Sequence, residues 1–331
     1  MSFWAPFPEI QQDLDRVRSV IDSEISTPGG IVSQGLGDLA RRDAKLLRPG
    51  FTVLAARIRN GGNPASEGIV HLAAAIEMLH MASLIHDDIV DNAATRRGQE
   101  ALHVTHGSRL AVLLGDFLFA RSFTLVAEHA RSSNARVLSP SVARLVSAAI
   151  AEVNDQGQLD LSPRRYLHRI VGKTAILFAL SFHVGAVEST PTGEDDRVVQ
   201  TLRRIGYNLG VGFQIVDDLL DISGDPAKTG KPRGTDLRSG IITLPLIVAL
   251  QQDPKNELSG MVREIRRGRG HVDRLLEQVT RRLEQSGALS ATAAVAERYT
   301  HRANRELMRL PLGRDREILG SVAVRLLQRS A

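Results

Sequence analysis

The chain has 331 residues, of which 43% are hydrophobic, 24% charged and only 4% aromatic, with a formal net charge of +5. That mix supplies a large aliphatic core and excludes a chain left disordered for want of apolar side chains. With no cysteine there are no disulfides, thiolate metal sites, iron–sulfur clusters or thiol nucleophile, so any metal must be held by carboxylates or histidines.

The cations are lopsided, 37 Arg against 5 Lys. Apart from the run REIRRGRG at Arg263 to Arg269 they are dispersed, and no nucleic-acid motif accompanies them, so a solvated face is expected there and no nucleic-acid partner. Arginine is the habitual surface cation of this chain, which makes the few lysine positions informative. The N-terminus, MSFWAPFPEIQQDLD, carries acids where a signal peptide would carry bases. The best apolar run, Thr174 to Val187, is shorter than the roughly 20 residues of a membrane span and contains His183. The expectation is no transmembrane segment and a cytoplasmic location.

In chain order the periodicity is helical almost throughout. The turn GGNPAS places Pro64 and Ser66 at the first turn of a helix over Ile69–Ile89, whose apolar face is Leu72, Ala75, Ile76, Leu79, Ser83 and Ile85. Asn92 to Gly98 reads as a loop. Leu167, Ile170, Thr174, Leu177 and Ser181 line one face of a later helix, and Glu188 to Gly193 closes it. Arg197 to Ile222 repeats the pattern through Leu202, Ile205, Leu209, Phe213, Val216 and Leu220. The polar stretch Ser223 to Gly240 is longer than an ordinary connection, so it is functional or disordered. No alternating strand pattern, flexible linker or repeat is visible. The sequence predicts a single all-α domain over residues 1–331, a bundle of about ten or more helices.

Two strings carry the chemistry, His86-Asp87-Asp88-Ile89-Val90-Asp91 and Val216-Asp217-Asp218-Leu219-Leu220-Asp221. Each is Asp-Asp-x-x-Asp at the C-terminal end of a long apolar helix. The first and last carboxylates, at i and i+4, share a face, with the middle one beside them. Aspartate is a poor helix former, and anions at a helix C-terminus oppose the macrodipole. One such triplet could be a solvated helix end; two with the same spacing ask for a cation. Hard divalent ions take oxygen ligands, and Mg²⁺ is held by one or two carboxylates together with substrate phosphates.

Cations flank both strings. Thr95-Arg96-Arg97-Gly98 follows the first, and Lys228-Thr229-Gly230-Lys231-Pro232 and Gly234-Thr235-Asp236-Leu237 follow the second. Gly172-Lys173-Thr174 lies between them, and Lys45-Leu46-Leu47-Arg48-Pro49 lies upstream. A divalent metal with Lys and Arg around it clamps and polarises phosphate oxygens.

Together, the segments KLLRPGF (45–51), EMLHMASLIHDDIVDNAATRRG (77–98), GKTA (172–175) and GFQIVDDLLDISGDPAKTGKPRGTDLRSGIITLP (212–245) resemble the trans-isoprenyl diphosphate synthases of the polyprenyl synthetase family, in order and spacing over nearly the whole chain. The resemblance implies helices around a central elongated cavity. It implies that Asp87 and Asp91, with Asp88 in support, and Asp217 and Asp221, with Asp218 in support, hold three Mg²⁺. Those ions would bind an allylic diphosphate helped by Arg96, Lys173 and Lys231, with Thr174 and Gln214 lining the site. Lys45, Arg48, His80 and Arg97 would hold isopentenyl diphosphate. A homodimer is implied as well, or a heteromer of which this chain would be the catalytic member.

The sequence departs from the family pattern twice. Asp43-Ala44 stands where many members have Gly-Gly, and Ile241 where many have Lys. Product length is read one helical turn before Asp87, where Ala82 and Ser83 are small and members making short products tend to carry a bulky residue. Leu79 lies a turn further on. The expected product is therefore C30 or longer. The alternatives are a farnesyl or geranylgeranyl diphosphate synthase, a terpene cyclase, and a helical partner protein without activity.

Overall fold

The computed structural model describes residues 2–26, 30–41, 45–96, 99–189, 196–224, 233–253, 255–268 and 271–327. Helices dominate, as the periodicity predicts, and they outnumber ten among the described residues. They gather into two compact units. One comprises residues 1–141, 177–206 and 306–321, the other residues 142–176, 207–305 and 322–331.

The first unit opens with α1 (Pro8–Ser26), α2 (Gly30–Arg41), α3 (Leu47–Arg59) and α4 (Glu67–Val90). Ser66 caps α4, its hydroxyl accepting from the Ile69 amide at 3.4 Å, and satisfies a donor that the helix cannot. Pro64 lies before that cap, outside the helix, which corrects the expectation that it forms the first turn. Packing of α4 against α1, α3 and α6 (Ser108–His129) buries most of its length. His86, the residue before the first Asp triplet, reaches α6: its Nε2 is 3.3 Å from the Val112 carbonyl oxygen and 3.4 Å from the Asp116 carboxylate. The end of α4 is thereby fixed.

Between α4 and α6 lie a two-residue antiparallel pair, β1 (Thr95–Arg96) with β2 (Gln99–Glu100), and the short α5 (Leu102–His106). The sequence shows no strand here because two residues are too few for any alternation. Further on, α9 (Ile176–Glu188) packs Phe178 and Phe182 against Phe51 of α3, with ring centroids 5.1 and 4.8 Å apart.

The second unit takes the C-terminal part of α7 (Ser132–Asp155), then α8 (Pro163–Ile170) and most of α10 (Arg197–Ser223). Its core joins Tyr166 and Ile170 of α8, Val211 and Ile215 of α10, and residues of Leu244–Leu250 and Glu257–Arg266. Val171–Ala175 forms one π-helical turn where the sequence predicts an unbroken helix; such turns concentrate at functional positions, and this one carries Lys173. The long polar stretch after α10 contains a short helix, Thr235–Arg238, while 225–232 lie outside the described residues.

Contrary to the expectation from unbroken apolar runs, three described helical stretches are long and apolar enough to cross a membrane by length and composition: Glu67–Val90, Ser108–His129 and Pro163–Glu188. The fold itself uses the apolar surface of two of them, burying 72% and 89% of their most apolar windows. In α6 the figure is 39%, and Val112, Leu113 and Phe123 are exposed.

The closest backbone approach in the first unit is at Gly185, where a Cβ would overlap the Thr52 carbonyl oxygen of α3 and meet Ala55 at 3.1 Å. Gly185→Ala is expected to destabilise the protein by about 1–3 kcal/mol through forced separation of α3 from α9. A urea midpoint equal to that of the parent would show that this contact is not limiting.

Candidate active site

Each unit carries one Asp triplet, and the two share one pattern of burial. In each, the middle carboxylate is out of water and hydrogen-bonded, while the outer two are half-buried. Asp88 and Asp218 are 5% and 4% exposed.

Around the first triplet, Asp88 Oδ1 accepts from Arg96 Nε at 2.8 Å and also from Arg96 Nη2. Burial works against the Arg96 charge, but the Asp88 bond and the charges of Asp88, Asp87 and Asp91 outweigh it and hold the guanidinium above its ordinary range. Arg96 is thus brought to the triplet by β1. Asp91 caps α4, its amide donating to the Asp87 carbonyl at 2.8 Å. Arg97, expected to hold a diphosphate, lies outside the described residues.

The other predicted residues of this unit lie just before α3, in α3 and in α4. Lys45 is exposed, and Arg48 in the first turn of α3 sets its guanidinium 5.3 Å from the centre of the Phe178 ring. His80 is half-buried two turns before Asp87, and the Ser83 hydroxyl donates to its carbonyl at 2.8 Å. Leu79 and Ala82 are fully buried.

In the second unit a single relay joins two predicted residues to the triplet. Thr174 Oγ1 donates to Gln214 Oε1 at 2.7 Å, and Gln214 Nε2 donates to Asp218 Oδ1 at 2.8 Å. Asp218 Oδ2 accepts from the buried Tyr166 hydroxyl at 2.6 Å. Burial pushes the Asp218 carboxyl up to about 7, against the lowering effect of those two hydrogen bonds, and the Asp217 charge pushes the same way as burial. Asp221 anchors the turn that follows, its carboxylate accepting from the amides of Thr235 at 3.1 Å and Asp236 at 3.2 Å. Asp236 is itself driven well above the ordinary carboxylate range, first by burial and then by the charges of Asp221, Asp218, Asp217 and Glu152. Lys231 lies outside the described residues.

Lys173 is held as well. Its Nζ is 2.8 Å from Glu152 Oε1, and Arg169 Nε lies 3.7 Å from the other oxygen of the same carboxylate. Arg169 Nη2 donates to the Ile242 carbonyl at 2.7 Å and so ties this cluster to the segment that contains Ile241.

Tyr166 and Glu152 escaped the sequence reading, and Asp236 is read there only as part of the segment that follows the second triplet. Tyr166 sits seven residues before Lys173, two turns on the same face, which is the one local signal for it. Nothing local marks Glu152.

Among the described residues, no three His, Asp or Glu side chains stand as a ready-made metal cage. Mg²⁺ does not need one, because it keeps waters and shares its shell with phosphate oxygens. The donor set fits that ion: hard carboxylate oxygens, spaced i and i+4, where burial first and neighbouring negative charge second lift the pKa of Asp218 and Asp236.

If the relay holds Asp218, Tyr166→Phe leaves a buried carboxylate short of one donor. The expected loss is about 1–3 kcal/mol of stability in metal-free protein, measured by chemical denaturation. An unchanged midpoint would remove Tyr166 from the relay.

Residues 31–279 match the polyprenyl synthetase family. The chain is 31% identical over 324 residues to heptaprenyl diphosphate synthase component 2 of Bacillus subtilis, covering 98% of this chain and 90% of that protein. A polyprenyl synthase from Caulobacter crescentus, crystallised with calcium and isoprenyl diphosphate, superposes with a TM-score of 0.88 at 33% identity over 97% of this chain and 96% of that one. A geranylgeranyl pyrophosphate synthase from Lactobacillus brevis gives 0.87 at 32% identity over 98% and 99%. This chain, with its two Asp triplets on apolar helices, therefore belongs to the polyprenyl synthetase family, and it is a prenyltransferase.

Proposed function

We propose that the chain condenses isopentenyl diphosphate with an allylic diphosphate, 1′-4 and trans, releasing pyrophosphate and making a polyprenyl diphosphate of C30 or longer. The observation that carries this reading is the paired design of the triplets: a buried, hydrogen-bonded middle Asp and accessible outer Asp residues, each triplet with basic residues close by in sequence.

In this reading Asp87 and Asp91, and Asp217 with Asp221, are the Mg²⁺ ligands, up to three ions in all. When bound, Mg²⁺ supplies Lewis-acid charge to the diphosphate oxygens and makes the group able to leave. Arg96, Lys173 and Lys231 add positive charge to the allylic diphosphate, and Thr174 and Gln214 keep Asp218 in place. Lys45, Arg48, His80 and Arg97 hold the second diphosphate. The allylic C–O bond breaks with its electron pair leaving on pyrophosphate. The double bond of isopentenyl diphosphate then forms the new C–C bond, and the proton lost from the product passes to pyrophosphate. Apolar walls keep water from the cation.

Product length rests on Ala82 and Ser83, with Leu79 a turn beyond. The heptaprenyl relative supports a long product, and the likeness to a geranylgeranyl synthase supports the shorter alternative. We further propose that the protein works as a dimer of this chain through α6. That helix exposes Leu113, Ala120 and Phe123 at helical spacing, Leu113 being 63% exposed. The relative's designation as a component is the ground for the heteromeric alternative.

Purified protein with Mg²⁺, labelled isopentenyl diphosphate and a farnesyl or geranylgeranyl primer is expected to yield products of C30 or longer after dephosphorylation. Termination at C15 or C20 keeps the chemistry and discards the length argument. Asp87→Asn and Asp217→Asn are each expected to cut incorporation by about 100-fold or more, the scale of losing one electrostatic contact to the reacting charge. Ala82→Phe is expected to shorten the product by at least one isoprene unit, because a turn of helix rises about 5.4 Å, close to the reach of that unit. An unchanged product would move the floor elsewhere.

A further inference from the structure

The N-terminal segment FWAPFP has no part in the reading above, yet its one indole is bonded to the strand of residues that reading assigns to isopentenyl diphosphate. Trp4 is the only tryptophan in the chain and is 1% exposed. Its Nε1 donates to the carbonyl oxygen of Lys45 at 2.7 Å, across 41 residues of sequence. An indole N–H can only donate, and once buried it must find an acceptor, so this bond fixes the ring and the carbonyl together.

The segment held there is one that needs holding. Leu46, the residue after Lys45, is left-handed at φ 46° and ψ 43°, a conformation that a β-carbon disfavours, and no side chain caps α3 behind it. The ring also lies against Gly50, where any Cβ would overlap it, so α3 and the indole are in direct contact. From Trp4 an aromatic series runs on to Arg48. Trp4 meets Phe51 edge-on with centroids 6.4 Å apart, Phe51 meets Phe178 at 5.1 Å, and the Arg48 guanidinium lies 5.3 Å from the centre of Phe178. The indole therefore fixes the Lys45 backbone directly and the Arg48 head group through two rings. Trp4 is itself held in the turn just before α1, with the Phe7 amide donating to its carbonyl at 2.8 Å and further edge contacts to Phe3 and Phe7.

We propose that Trp4 is a positioning residue for the isopentenyl diphosphate site, setting Lys45 and Arg48 in register for the diphosphate, and that it reports on occupation of that site. The proposal rests on the assignment of Lys45 and Arg48 made above. It explains why an N-terminal segment rich in rings is packed onto a helix start that carries two cations.

The test uses the full-length protein and the natural fluorescence of its single tryptophan. Native protein titrated with isopentenyl diphosphate, without primer, is expected to show a saturable change in Trp4 emission that disappears in Lys45→Ala. Trp4→Phe keeps a ring in the core and loses the N–H. It is expected to raise KM for isopentenyl diphosphate about fivefold or more, with KM for the allylic primer changed less than twofold. Emission blind to isopentenyl diphosphate, or equal rises in both KM values, would overturn the proposal, the second because general loosening of the fold would do the same. If Trp4→Phe does not fold, the titration of native protein decides alone. Failure of native protein to incorporate any isopentenyl unit is a different result: it would remove the functional reading, while the emission titration would still judge Trp4.

Discussion

A carboxylate taken out of water at the end of an apolar helix must be hydrogen-bonded or lose its charge. The middle Asp of each triplet meets that constraint, and the organisation of both candidate sites follows from how it does so. Asp88 is bound by Arg96 and Asp218 by Tyr166 and Gln214. Holding the middle residue sets the rotation of the helix end about its axis. At 100° per residue, positions one before and three after lie within about 40° of each other, both to the same side of the middle one. Asp87 with Asp91, and Asp217 with Asp221, are paired by their spacing, and burying the residue between them turns both pairs toward a less buried side.

The two solutions differ in charge, and the difference has chemical meaning. Asp88 is paired with a cation, the Arg96 guanidinium. Asp218 is held by neutral donors among other carboxylates, and burial together with the Asp217 charge lifts it to about 7. Asp236 is lifted for the same reasons. Among the described residues the middle carboxylate of the second triplet accepts hydrogen bonds from neutral donors, with the Arg169 charge also lowering it, and a divalent cation would relieve the crowding of carboxylates around it. Glu152 limits the relief that Lys173 could give from within the protein, because it holds that ammonium at 2.8 Å.

What could be read from the sequence was local. The helix over Glu67–Val90 and the long helix ending at Ser223 follow from apolar residues at 3.6 spacing, and the Asp triplets from spacing alone. What could not be read depends on packing between segments far apart in the chain. Tyr166 and Asp218 are 52 residues apart, Lys173 and Glu152 21, and Trp4 and Lys45 41. A donor in a helix of apolar periodicity looks like core until its acceptor is known. The π-turn at Val171–Ala175 is invisible for another reason: it inserts a single extra residue per turn without changing composition. Pro64 was misplaced because proline before a cap and proline after it leave similar traces, and the Ser66 hydroxyl bond separates the two.

The scarcity of lysine gains a physical sense from these contacts. Arginine offers a planar fork suited to fixed, directional pairing, whereas the ammonium of lysine is a compact charge on a flexible stem. Several arginines here use the fork for such pairing: Arg96 grips Asp88, Arg169 ties Glu152 to the Ile242 carbonyl, and Arg57 donates to Asp315 at 2.8 Å. The described lysines near the predicted sites are treated differently. Lys173 is held by one carboxylate at the π-turn, and Lys45 is held by its backbone, leaving its side chain exposed. The bond from the Trp4 indole to its carbonyl thus fixes Lys45 at the root of its side chain.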